Sequence, residues 1–377
     1  MVSSKMWFAA LARRRKVTRM WRTRYAVLLF FLVLRLLSSH LSGADKPEAL
    51  RQAFLKVIDR PRVPMAPSAE RLSEREGLVQ WHFTFAADAS QQVTGLLVKQ
   101  SNLKTRQPVV IALHGTGGNK ESQTPLLKEL ATKGFTAVSI DGRYHGERAT
   151  KGAGAKDYVN AILRAWRTGD AHPFLYDTVW DLMRLIDYLE TREDVDRDRI
   201  GMIGFSKGGM ETYLAAAVDP RIAVAVPCIG VQSFRWALEN GAWKSRVETF
   251  QAAIDTAAKE AGLAEITPDF VRQFYDRVVP GIYSQFDGPQ MLPLIAPRPL
   301  LMINGDSDAR TPRPGVMECA EAARKAYAAK KAEERFMLQL QENTGHKVTG
   351  PSLQLAISWF EKWLNPSASP TKRHHSD

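Results

Sequence analysis

From residue 108 onward the chain repeats one unit: a short apolar run, a loop, then an amphipathic stretch. The apolar runs fall at 109–113, 135–140, 199–203, 223–226, 300–303 and 336–340. Helical spacing fills most of the gaps, at 126–133, 178–190, 210–218 and 316–331, and a last helical stretch at 353–364 closes the series. A strand apolar on both sides must be covered on both sides, and strands that alternate with helices pair in parallel. The expected fold class is therefore α/β, a mostly parallel central sheet flanked by helices. One segment, 231–290, breaks the rhythm. It carries Trp236, Trp243, Phe250, Phe274, Tyr275, Tyr283 and Phe286 and joins two strands at the sheet's carboxyl edge, where ligands bind in open α/β sheets. It reads as a helical, lid-like insertion, with Trp236 and Trp243 as substrate-binding residues.

Upstream of the repeat, 81–85 alternates and 93–98 is β-rich, so both read as strands. Residues 45–79 hold a helical pattern at 48–58 and then a Pro-rich stretch, and read as an N-terminal arm. The catalytic domain is placed at 80–366, followed by a polar tail at 367–377.

The net charge of +12 on 377 residues suggests a polyanion binder. Its distribution argues otherwise. Residues 1–44 hold nine Lys and Arg and no acid, which leaves 43 basic against 40 acidic residues in the body. No nucleic-acid partner is expected. The leader is basic to Arg24, apolar from Tyr25 to Leu37 with Arg35 inside, then small at Ser42-Gly43-Ala44. That is the three-part grammar of a secretory signal, with cleavage after Ala44. The apolar part is shorter than the about 20 residues of a membrane span. A secreted or periplasmic protein is expected, and an uncleaved N-terminal anchor is the alternative.

The chemistry centres on Gly204-Phe205-Ser206-Lys207-Gly208, between an apolar run and a helical one. A Ser at a sharp strand-to-helix turn sits on strained backbone, and small residues on either side leave room for it. Ser is a weak nucleophile without a base and a group that orients the base. Both follow in order. His346 lies in a loop before the last helix, whereas His82, His114, His145 and His172 all precede Ser206. Asp308 follows the run 300–303 and is the expected orienting acid, with Asp306 as its competitor. Backbone N–H groups of Lys207 and of Thr116, in His114-Gly115-Thr116-Gly117-Gly118, are the expected oxyanion donors. His114 reads as a loop-organising hydrogen bonder. Arg143, in Asp141-Gly142-Arg143, reads as a staple to a carboxylate such as Asp181. No phosphate-loop motif occurs, and two Cys exclude a Cys-rich zinc site or a disulfide scaffold. No cofactor and no metal are expected.

On the elbow at Ser206, His114-Gly115, Asp308 and His346, the chain resembles the α/β-hydrolase superfamily over 80–364. Within it, Asp141-Gly142-Arg143…Gly146 and the run from Asp196 to Ile200 are similar to the dienelactone hydrolase, acetyl xylan esterase and prolyl oligopeptidase-like branch. Dienelactone hydrolases carry Cys where this chain has Ser206, and the chain has no room for a propeller. The resemblance implies a serine hydrolase that cleaves a small-molecule carboxylic ester through an acyl-enzyme. A peptidase, acyl-CoA thioesterase or acyltransferase on the same three residues is the alternative, and a binding protein without turnover is the third reading.

Overall fold

A computed structural model describes residues 45–365 apart from Lys104, Gly154, Ala171, Pro173 and Phe174. The leader, its cleavage site and the tail lie outside the described residues. The chain divides into two compact units, 1–52 and 53–377. Of the first, the described part is the opening of the helix Asp45–Ile58.

The second unit is built on a sheet whose strands, in chain order, are β1 (Ser68–Arg75), β2 (Leu78–Asp88), β3 (Gln91–Gln100), β4 (Gln107–Leu113), β5 (Thr136–Ile140), β6 (Val195–Phe205), β7 (Ile222–Cys228), β8 (Leu300–Gly305) and β9 (Phe336–Gln341). Their spatial order is β1-β2-β3-β5-β4-β6-β7-β8-β9. The pairs from β5 through β9 are parallel, and β1, β2 and β3 add antiparallel strands at one edge. The mostly parallel sheet expected from the apolar runs is present, because residues such as Val109, Val110, Ile111 and Ala112 are all buried.

Side chains on each strand alternate between the two faces. On one face Leu96, Val98, Val110, Ile203 and Val226 pack with Leu127, Ile357 and Phe360, from the helices Thr124–Thr132 and Gly350–Leu364. The alternate residues Leu97, Ile111 and Met202 point to the other face, which carries the helices Tyr176–Glu190 and Lys207–Val218.

Two elements depart from the sequence reading. β1 lies inside the stretch read as an arm. It is an exposed edge strand with a polar sequence, SAERLSER, so no apolar alternation marks it. The helix Lys156–Thr168 was not expected from the sequence either. Ala155 caps it without a side-chain hydrogen bond, so the usual start signal is missing. Its Trp166 packs on Phe270 and Phe274 of the insertion rather than on the sheet.

Between β7 and β8 the insertion forms the helices Phe234–Glu239, Gln251–Glu260, Pro268–Val278 and Gly288–Met291. Phe234, Phe250, Phe274, Tyr275 and Tyr283 make an aromatic cluster of their own. No helix among the described residues is long and apolar enough to cross a membrane.

Candidate active site

β5 lies on one side of β4 and β6 on the other, so the chain reverses its direction of winding between β4 and β6. Open α/β sheets form their ligand crevice at such a point. The loop after β4 carries His114 to Gly118, and Ser206 follows β6 directly.

Ser206 adopts φ +56° and ψ −113°. A non-Gly residue at positive φ is strained and persists only where its surroundings force it. Here they do. The Ser206 N–H donates to Cys228 O at 2.9 Å, and Ser206 O accepts from Met210 N–H at 3.1 Å. A Cβ on Gly204 would stand 2.1 Å from Gly208 O, so the turn closes only with glycine at that position.

The loops after β8 and β9 bring the partners in. His346 Nε2 lies 2.8 Å from Ser206 Oγ, and His346 Nδ1 lies 2.7 Å from Asp308 Oδ2. Asp308 Oδ2 also accepts from Thr311 Oγ1 at 2.7 Å, and Oδ1 accepts from Arg310 N–H at 2.8 Å. Burial works to raise the Asp308 pKa, but the hydrogen bonds from His346 and Thr311 hold it below the ordinary carboxylate value. Asp306, the competing acid, is turned away. It caps the loop by accepting from Ser307 Oγ at 2.8 Å and Thr344 N–H at 3.2 Å. Of the two acids, only Asp308 reaches the ring.

The Gly115 backbone passes close to the elbow; a Cβ there would be 3.2 Å from Phe205 O and 3.4 Å from Ser206 Cβ. The N–H groups of Thr116 and Lys207 have no acceptor among the described residues. His114 holds this loop in place. Its Nδ1 donates to Gly115 O at 2.8 Å and its Nε2 accepts from Gly142 N–H at 3.0 Å. Burial and the nearby Lys207 charge lower its pKa to about 4. His145 is pushed to about 3 by burial, Lys207 and His114. Lys207 itself is buried and donates to Glu211 Oε1 at 2.6 Å. Burial raises the Glu211 pKa against the pull of that ammonium. Arg143 donates to both oxygens of Asp181, at 2.8 and 3.0 Å, so the charged segment after β5 is an internal staple.

A cavity of ≈ 30 Å³ opens beside Ser206 and His346, walled by Met210, Phe234, Arg246 and Tyr275. A larger one of ≈ 490 Å³ runs along Thr116, Asn119, Tyr144 and His145. Thr249 borders both. Trp236 and Trp243, expected to bind substrate, line neither. Two residues along a helix are about 200° apart, so turning Phe234 inwards turns Trp236 away. Trp236 lies instead near Gly315, whose Cβ would be 3.5 Å from its ring. Trp243 has Lys244 over its ring at 5.8 Å and lines a separate surface hollow with Leu263. Phe234, Arg246 and Thr249 were not singled out in the sequence, and Tyr275 stood only among the aromatics of the insertion, because side chains of these kinds look the same in a core, on a surface or at a pocket. Among the described residues no group of His, Cys, Asp and Glu could hold a metal ion.

The protein YtaP of Bacillus subtilis (strain 168) is 25% identical over 333 residues, which span 85% of this chain and 100% of that one. Acetyl xylan esterase 1 from Thermoanaerobacterium sp. JW/SL YS485 superposes with a TM-score of 0.63 at 17% identity, over 85% of this chain and 95% of that one. An acetyl xylan esterase from Paenibacillus sp. R4 gives 0.59 at 20%, over 85% and 92%. At these identities the structural likeness is one of fold. A family model described as "Glucuronyl esterase, fungi" matches residues 86–330, well over half of the chain. The chain therefore belongs to the glucuronyl esterase family, and it is a carboxylic ester hydrolase of the α/β-hydrolase superfamily.

Proposed function

We propose that Ser206, His346 and Asp308 form a catalytic triad that hydrolyses short-chain carboxylic esters through an acyl-enzyme. The observation that carries this is the unbroken relay from Ser206 Oγ to His346 to Asp308, at 2.8 and 2.7 Å, on a nucleophile at positive φ. His346 Nε2 takes the Ser206 proton as Oγ attacks the ester carbonyl. Asp308 keeps the ring proton on Nδ1 and stabilises the imidazolium that forms. The N–H groups of Lys207 and Thr116 receive the oxyanion, each such donor being worth about 10²–10³ in rate. His346 then protonates the leaving alcohol, and water repeats the sequence to free the acid and Ser206.

The two cavities support a division of the substrate. The cavity beside Ser206 is the smaller of the two, which suits a short acyl group. The larger cavity across Thr249, with Asn119, Tyr144 and His145 on its walls, suits a hydroxyl-rich alcohol such as a sugar. The acetyl xylan esterases of like fold are named for esters of that kind. The basic and apolar leader supports export, which would place the enzyme where polymeric carbohydrate esters occur.

A tagged fluorophosphonate should label Ser206 in the native protein and not in Ser206→Ala. A panel of p-nitrophenyl esters, acyl-CoAs and X-Pro peptides should show turnover of the acetate and butyrate esters first. Full activity in Ser206→Ala, or faster cleavage of the peptides or thioesters, would overturn the reading.

A further inference from the structure

The cavity beside Ser206 has a charged wall that the reaction above does not use. Arg246, on the insertion, is 6% exposed and lines this cavity together with Ser206 and His346. Its guanidinium lies over the Phe234 ring, 5.4 Å from the centroid, a cation–π contact. Nε donates to Ser245 Oγ at 3.0 Å. Nη1 and Nη2 donate to no group among the described residues, and no described carboxylate lies within 4.0 Å of the guanidinium. Asp308 attracts it only at longer range and is engaged with His346.

The other buried cations of this region are paired. Lys120 meets Asp141 at 2.7 Å, Arg143 and Arg148 each meet Asp181 at 2.8 Å, and Lys207 meets Glu211 at 2.6 Å. Arg246 is the exception among them. Burial opposes its charge, yet a guanidinium does not shed its proton in a protein. Leaving such a charge unpaired costs several kcal/mol. A second group on the same wall is also unsatisfied. Gln232 is buried, its Nε2 touches only Met210 Sδ at 3.4 Å, and its Oε1 has no partner. Gln232 lines the same cavity as Arg246.

We propose that Arg246 binds a carboxylate carried on the acyl part of the substrate, so that preferred substrates are hemiesters of short dicarboxylic acids. The guanidinium edge matches a carboxylate through two parallel N–H donors. Gln232 adds an unsatisfied amide to the same wall. The ≈ 30 Å³ cavity holds the acyl group to a short chain between the two carbonyl carbons. The placement on the acyl side rests on the assignment of the alcohol to the larger cavity.

The test compares wild type and Arg246→Gln on p-nitrophenyl butyrate, mono-p-nitrophenyl succinate and 4-acetoxybenzoate, which carry no carboxylate, one on the acyl side and one on the alcohol side. Wild type should favour the succinate over the butyrate in kcat/KM by about 10–100-fold, the value of a charge-assisted pair. Arg246→Gln should lose that preference by the same factor. Free succinate should compete with substrate on the wild-type enzyme and succinamide should not, a comparison that stands even if the variant fails to fold. Equal kcat/KM on butyrate and succinate without inhibition by succinate, or a preference for 4-acetoxybenzoate instead, would overturn the proposal. If either occurs while Ser206 still takes the fluorophosphonate and the butyrate is still cleaved, only the role of Arg246 falls. If labelling and butyrate cleavage are lost too, the triad reading falls with it.

Discussion

Replacing Asp308 by Asn should cost more activity than removing its side chain altogether. The reason lies in the fixed donors around it. Arg310 N–H donates to Oδ1 and cannot turn. The Asn oxygen must stay there, since a second donor against that N–H would leave both unpaired at about 1–3 kcal/mol. The Asn NH2 then takes the place of Oδ2, facing His346 Nδ1 and Thr311 Oγ1. Thr311 can rotate its hydroxyl. His346 must accept at Nδ1 and therefore carry its proton on Nε2, which faces Ser206 Oγ. The base is lost while the geometry is kept. The expected fall in kcat is about 10³–10⁴, or about 4–5.5 kcal/mol in the transition state. Asp308→Ala leaves His346 free to choose its tautomer, so it should retain more activity. Asp306→Asn, at an exposed cap, should stay within about tenfold of wild type. The assay is kcat on p-nitrophenyl acetate for all three purified variants, with circular dichroism to establish that each is folded. Activity in Asp308→Asn equal to or above that in Asp308→Ala would refute the tautomer argument, and a larger loss in Asp306→Asn would refute the choice of acid.

Three further outcomes follow from buried groups. Glu211→Gln leaves the Lys207 ammonium without its counter-charge and should lower unfolding free energy by about 3–5 kcal/mol, measured in urea; a change below about 1 kcal/mol would place the pair with weak surface bridges. His114 and His145, held neutral with pKa values of about 4 and 3 against an ordinary 6.5, give stability that is present above pH 6.5 and lost as pH falls towards those values. In that window the unfolded chain binds protons the folded one refuses, so stability should drop by about 1.4 kcal/mol per pH unit for each histidine, and equal urea midpoints at pH 7 and 5 would contradict it. Cys228 and Cys319 are free and buried, and burial raises both thiol pKa values; they should react with a thiol reagent only after unfolding, and a disulfide-linked peptide pair in a non-reducing digest would overturn this.

The elements that place Ser206, Asp308 and His346 were readable from residues alone because local chemistry dictates them. β4 and the second half of β6 are apolar on both faces whatever surrounds them, and the turn at Ser206 admits almost nothing but glycine at Gly204. His346 and Asp308 could be named from their positions after β9 and β8, since a parallel sheet puts all its strand ends on one edge. That Asp308 rather than Asp306 meets the ring was only a preference in the sequence. It was decided by the course of the loop, which spends Asp306 on capping Thr344 and points Asp308 inwards. β1 was invisible because an exposed edge strand needs no apolar pattern. The pocket walls were invisible for a different reason. Whether Phe234 or Trp236 faces Ser206 depends on how one short helix of the insertion is rotated, and that rotation is set by its packing on Tyr275, Tyr283 and the helix Arg313–Ala329. The unpaired charge of Arg246 is likewise a property of the folded chain: an arginine in a sequence has no partner or lack of one until the tertiary structure decides what lies within reach.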